Sequence, residues 1–216
     1  MRTRVKICGI TTPEDALAAV AAGADAIGLV FYERSPRYVS PEQAGRIVDV
    51  IPAFVSVVGL FVDAPLQVID RLVQQVPLDL LQFHGMETVA QCEAPGRPYI
   101  KAVKVVDSDS VRQGCRTYTT ARAILLDVDS RVGHGGTGQS FDWSLVPQEL
   151  SPSAAARRSE RLILAGGLNP DNVAQAIRQV GPYAVDVSSG VEASPGVKDE
   201  RKMNQFIERV MHATPA

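Results

Sequence analysis

Short apolar runs recur along the chain: Val5–Ile10, Ala26–Phe31, Val55–Val62, Leu80–Phe83, Tyr99–Val106, Ala123–Val128, Leu162–Leu168 and Ala184–Val187. Eight runs in 216 residues put one every 27 residues, close to the ~30 that a strand and its crossover helix occupy. The runs are continuous rather than alternating, the pattern of strands covered on both faces in a parallel sheet. Between them, apolar residues fall at helical spacing. Ala44, Ile47, Val48 and Ile51 form one stripe; Val173, Ala176, Ile177 and Val180 form another; Met203, Phe206, Ile207, Val210 and Met211 form a third. Each predicts a helix with a single face turned to the sheet.

The helix starts share one design. In Thr12-Pro13-Glu14-Asp15, Ser40-Pro41-Glu42-Gln43 and Asn169-Pro170-Asp171-Asn172, a capping residue precedes proline and then acids. That order suits the unpaired amides and positive potential of a helix N-terminus, and Ser40 with Gln43 fits a capping box. Eight βα units predict an α/β fold: one (β/α)8 TIM-barrel domain over residues 1–216. Periodicity alone does not separate a closed barrel from an open doubly wound sheet. Pro147–Ser159, rich in Ser, Ala, Pro and Arg, reads as a long polar link before the seventh strand, and the tail from His212 as frayed.

Composition narrows the function classes. With 22 Lys and Arg against 24 Asp and Glu, the formal net charge is -2. Nothing in that balance predicts a nucleic-acid partner. No apolar run approaches the roughly 20 residues of a membrane helix. Cys8, Cys92 and Cys115 are odd in number and lack CxxC spacing, which argues against a disulfide framework or a structural zinc site. A cytoplasmic protein, monomer or homodimer, with no membrane partner is expected. The histidines have no metal-ligand spacing, so no metal site is expected either.

A barrel carries its chemistry at the C-terminal ends of its strands, and polar residues gather there. Cys8 ends the first run, Gln82 and His84 the fourth, Asp127 the sixth, and Asp186, Ser188 and Ser189 the eighth. An aspartate ending an apolar strand is costly unless paired or used; a cysteine in a strand is ordinarily an inert core residue. Lys6 shares the face of Cys8 by the period of two, a placement that favours a thiolate. His84 reads equally well as a structural residue. Arg34 and Arg37 lie in a βα loop, where an arginine is usually solvated but is able to clamp a carboxylate. Trp143 is expected to pack the start of a sixth helix.

Glycines mark the last strand ends: Gly135-Gly136-Thr137-Gly138, then Gly166 and Gly167, then Ser188-Ser189-Gly190. Glycine lets backbone amides approach an anion, and the last two βα loops of barrels often hold phosphate. Any one of these glycines alone reads as a tight turn; two adjacent strand ends together point to a phosphate ester. Residues 133–140 have P-loop spacing, but Gln139 stands where a P-loop has lysine, and no GxGxxG follows a strand. Nucleotide binding therefore lacks support.

Taken in order, Lys6-Ile7-Cys8-Gly9-Ile10-Thr11, Ser35-Pro36-Arg37-Tyr38, Leu81-Gln82-Phe83-His84-Gly85, Leu126-Asp127, Gly135-Gly136-Thr137-Gly138, Phe141-Asp142-Trp143, Ala165-Gly166-Gly167-Leu168 and Val185-Asp186-Val187-Ser188-Ser189-Gly190-Val191-Glu192 resemble the motifs of the phosphoribosylanthranilate isomerases of tryptophan biosynthesis. The resemblance implies an Amadori rearrangement of N-(5-phosphoribosyl)anthranilate to 1-(2-carboxyphenylamino)-1-deoxyribulose 5-phosphate, with no cofactor and a small phosphoribosyl compound as partner. It implies Cys8 as general base with a lowered pKa, and Asp127 as general acid. It puts Arg37 on the substrate carboxylate, His84 and Asp186 in the pocket, and phosphate on Gly166, Gly167, Ser188, Ser189 and Gly190. Two alternatives stand beside it. The histidine-pathway aminoaldose isomerase barrel uses an aspartate where this chain has Cys8. A non-catalytic phosphoribosyl-binding barrel would not need Cys8 and Asp127 together.

Overall fold

The computed structural model describes residues 2–128, 142–147, 150 and 162–213. Eight parallel strands close into a barrel: β1 (Arg4–Cys8), β2 (Ala26–Val30), β3 (Ser56–Phe61), β4 (Leu80–Phe83), β5 (Tyr99–Val105), β6 (Ala123–Val128), β7 (Leu162–Leu164) and β8 (Ala184–Val187). Pairing of β1 with β8, Lys6 opposite Asp186, completes the circle. The helices are α1 (Pro13–Ala22), α2 (Pro41–Val48), α3 (Leu66–Gln75), α4 (Val89–Glu93), α5 (Ser108–Thr117), α6 (Val173–Val180) and α7 (Glu200–His212). A hairpin of β9 (Glu192–Ser194) and β10 (Val197–Lys198), absent from the sequence reading, follows β8.

Alternation along each strand sorts side chains between two cores. Ile124 and Leu126 of β6 belong to the large cluster under the helices. Ala123 and Leu125 face inward with Val58, Ile100 and Ile163. Asp127 continues the inward set to the mouth. Cys8, Val30 and Leu60 form the small topmost interior cluster. The period of two thus delivers Cys8 and Asp127 to the same end of the barrel.

The capping designs hold with one shift. Thr12 accepts from the Asp15 N–H, and Ser40 forms the full capping box with Gln43. Asn169 instead accepts the N–H groups of Asp171 and Asn172 in a turn before α6, so the helix begins at Val173. An asparagine side chain competes well for nearby amides, which delays the helix. The seventh apolar run is a strand only to Leu164, because Gly166 and Gly167 turn into left-handed backbone, at φ 76 and 66. Trp143 sits buried in one 3-10 turn, Trp143–Leu145; Val146, extended before Pro147, ends it. His212 is the last residue of α7 rather than part of a frayed tail, and Met211 is exposed beside the buried Met203, Phe206, Ile207 and Val210. The Gly135–Gly138 loop, His134, Phe141 and most of the polar link before β7 lie outside the described residues.

Candidate active site

A cavity at the C-terminal mouth is lined by Cys8, Arg37, His84, Asp127, Asp186 and Ser188. Five of the strand-end or loop residues picked from sequence as catalytic or substrate-binding therefore meet in one place. Gly166, Gly167 and Ser189 line it too. Gly190 does not; a side chain there would collide with the Leu168 carbonyl, so this glycine lets the loop after β8 pack on the loop after β7. The Asn172 amide donates to the Gly167 carbonyl at 2.9 Å. Across a trans peptide, that aims the Leu168 N–H the opposite way.

Cys8 is 5% exposed. Its register partner Gly28 leaves the space that Sγ fills, since a Cβ on Gly28 would lie 2.8 Å from Cys8 Sγ and 3.0 Å from Lys6 Nζ. Thiol and ammonium are thus neighbours over one glycine. Lys6 Nζ donates to Asp186 Oδ1 at 2.9 Å, both groups buried. Burial would lower the Lys6 pKa, but Asp186 and Cys8 outweigh it and leave the pKa raised. The thiol departs from expectation. Burial pushes it up, the Lys6 ammonium pulls it down, Asp186 adds to burial, and the net direction is upward. The resting group is a neutral thiol, because dehydration of a thiolate outweighs a cation already engaged by a carboxylate.

On the opposite side, Gln82 Nε2 donates to His84 Nδ1 at 3.0 Å. That leaves the ring proton on Nε2, which donates to Asp127 Oδ2 at 2.9 Å. Lys104, the register partner of Asp127 on β5, also lines the cavity; sequence reasoning missed it, although a lysine in a buried apolar run was a visible exception.

The loop that carries His84 is bolted from behind. Lys101 Nζ donates to the Gly85 carbonyl at 2.7 Å and to Glu87 at 3.0 Å, while Glu87 accepts the Gly85 and Asp63 amides. Arg37 is likewise held. Its Nε and Nη2 each donate to Glu192 at 2.7 Å, and its stem lies over Gly9, where a Cβ would meet Cδ at 2.5 Å. Among the described residues, no group of three or more His, Cys, Asp or Glu is arranged to hold a metal ion, and no helix is long and apolar enough to cross a membrane.

Residues 5–209 match the family model described as N-(5'phosphoribosyl)anthranilate (PRA) isomerase. The chain belongs to the PRA isomerase family. A curated PRA isomerase of Pseudomonas fluorescens is 56% identical over 207 residues, 96% of this chain and 98% of the relative. The crystal structure of the Thermotoga maritima PRA isomerase superposes with a TM-score of 0.87 at 44% identity, covering 97% of this chain and 98% of that one. A second PRA isomerase structure, in complex with reduced 1-(o-carboxyphenylamino)-1-deoxyribulose 5-phosphate, has a TM-score of 0.83 at 43% identity, with the same coverage.

Proposed function

We propose that the chain, acting as one barrel domain, isomerises N-(5-phosphoribosyl)anthranilate in tryptophan biosynthesis, with Asp127 as general acid and Cys8 as general base. The observation that carries this is the meeting of a thiol, a carboxyl group and a guanidinium at one barrel mouth. Around the closed ring, β1 and β6 stand three strands apart through β8 and β7, so the two groups flank a ligand from different walls.

In the first step Asp127 gives its proton to the ring oxygen as the C1–O bond opens. The product is an open-chain iminium with a free hydroxyl. The thiol proton of Cys8 then passes through solvent to the Asp127 carboxylate, the thiolate takes the C2 proton, and the C–H electron pair moves to form an enamine that tautomerises to the ketose, so that both groups end protonated as they began. The neutral resting thiol fits this order. The iminium brings a positive charge beside Sγ, and a nearby cation favours ionisation. Arg37 presents its guanidinium to the substrate carboxylate. Gly166, Gly167, Ser188 and Ser189, which line the cavity, supply the loops for the phosphate, with Gly190 closing the packing behind them. The reduced product analogue bound to a relative at 43% identity supports the substrate class.

The direct test adds purified chain to phosphoribosylanthranilate and follows its fluorescence. A decay that saturates with substrate is expected. A flat trace from folded protein would sink the proposal, and parallel turnover of the histidine-pathway aminoaldose would redirect it.

Gly28→Ala gives a second check. The added methyl must displace Sγ and Nζ, at an overpacking cost of about 1–3 kcal/mol. A misplacement of about 1 Å reduces turnover by up to roughly 10²-fold. Activity is expected to fall by more than the shift in denaturant midpoint accounts for, and unchanged kcat in this variant would argue against Cys8 as the base.

A further inference from the structure

Behind Arg37 lies a second cation that the mechanism leaves unused. Lys198 Nζ donates to Glu192 Oε1 at 2.9 Å and to the Ser188 carbonyl at 3.2 Å. Its side chain is 0% exposed and that of Glu192 is 5% exposed. The β9–β10 hairpin sets Lys198 opposite Glu192 in register. Asp15 accepts the Lys198 backbone N–H at 3.2 Å, and Lys202 donates to the Glu192 carbonyl at 2.7 Å rather than to its carboxylate. The carboxylate therefore stands between two cations, Arg37 on the cavity wall and Lys198 behind.

Glu192 occupies the Nε and Nη2 side of Arg37, which leaves the Nη1 edge of the fork for a ligand. An arginine paired with one carboxylate is a neutral unit with weak pull on a second anion. Adding Lys198 returns the trio to a net charge of one.

We infer that Lys198 is a specificity-determining residue that never touches substrate: its ammonium cancels Glu192, so that Arg37 keeps an available charge for an aryl carboxylate. The inference rests on Arg37 as the carboxylate reader, proposed above.

The test is a ratio of dissociation constants. Purified chain is titrated with reduced 1-(2-carboxyphenylamino)-1-deoxyribulose 5-phosphate and with its phenylamino counterpart, which lacks the carboxylate. Wild type is expected to favour the first by at least about tenfold, the scale of a hydrogen bond to a charged group. Lys198→Met leaves Arg37 and Glu192 neutral and is expected to erase most of that preference. Lys198→Gln keeps a donor for Glu192 without the charge and should behave alike, so a folding defect in the methionine variant does not remove the test. The double variant Lys198→Met/Glu192→Gln restores the net charge and should recover the preference. A merely structural role for Lys198 predicts no recovery. Retained preference in both single variants, or none recovered in the double variant, overturns the inference. A wild type without preference overturns the Arg37 reading beneath it.

Discussion

Replacing Cys8 by alanine is expected to lower kcat about 10²- to 10⁴-fold, the usual contribution of a positioned acid or base, with a much smaller change in ligand affinity. The cavity keeps its other walls when Sγ is removed, and Cys8→Ser should fare little better, because a hydroxyl does not yield an anion at accessible pH. The pH profile carries the stronger signature. The thiol of Cys8 is raised by burial, against the pull of Lys6. The reactive form is the thiolate, so wild-type turnover should climb as pH rises toward that raised pKa. Any residual activity in Cys8→Ser should lack that limb. Steady-state rates by fluorescence decay between mildly acidic and alkaline pH check both points. Turnover within a few-fold of wild type in Cys8→Ala, with the fold intact, would remove the thiol from the mechanism.

Asp127→Asn should be as damaging by a different route, again about 10²- to 10⁴-fold in kcat. The amide keeps the volume of the carboxyl group but has no acidic proton for the ring oxygen. The His84 Nε2 bond survives if the asparagine oxygen faces the ring, so orientation is preserved while acid strength is lost. The two variants are distinguishable. An open-chain iminium analogue bypasses Asp127 but still needs Cys8, so Asp127→Asn should bind and process such a compound more nearly like wild type than Cys8→Ala does. Equal impairment of both variants on the ring-opened compound would contradict the division of labour.

Much of the site is legible in the sequence, for identifiable reasons. Strands buried on both faces leave continuous apolar runs, and a polar residue at the end of such a run stands out. Asp127, Cys8, His84 and Asp186 were visible on that ground, and each lines the cavity. Closure was read from the count of eight βα units rather than from any local pattern, because it depends on β1 meeting β8, and that pairing is present. The α6 start was misplaced because Asn169 spends its side chain on a turn. The direction of the Cys8 shift was also out of reach. It is a contest between burial and Lys6, and the neighbours of Sγ come from β1, β2 and β8. Lys198 gave no signal at all, since a lysine in a short segment near Pro195 and Gly196 reads as an exposed turn.

The Lys6–Asp186 bond joins residues 180 positions apart in sequence and spans the seam between first and last barrel strands. During synthesis, the N-terminal half of this charge pair waits for almost the whole chain to emerge. Ring closure must also overcome the entropy of joining distant segments before their contacts reward it. Formation of this buried ion pair and completion of the barrel are therefore one event. A ribosome-bound or truncated chain lacking the last strand would hold its thiol without the ion pair beside it.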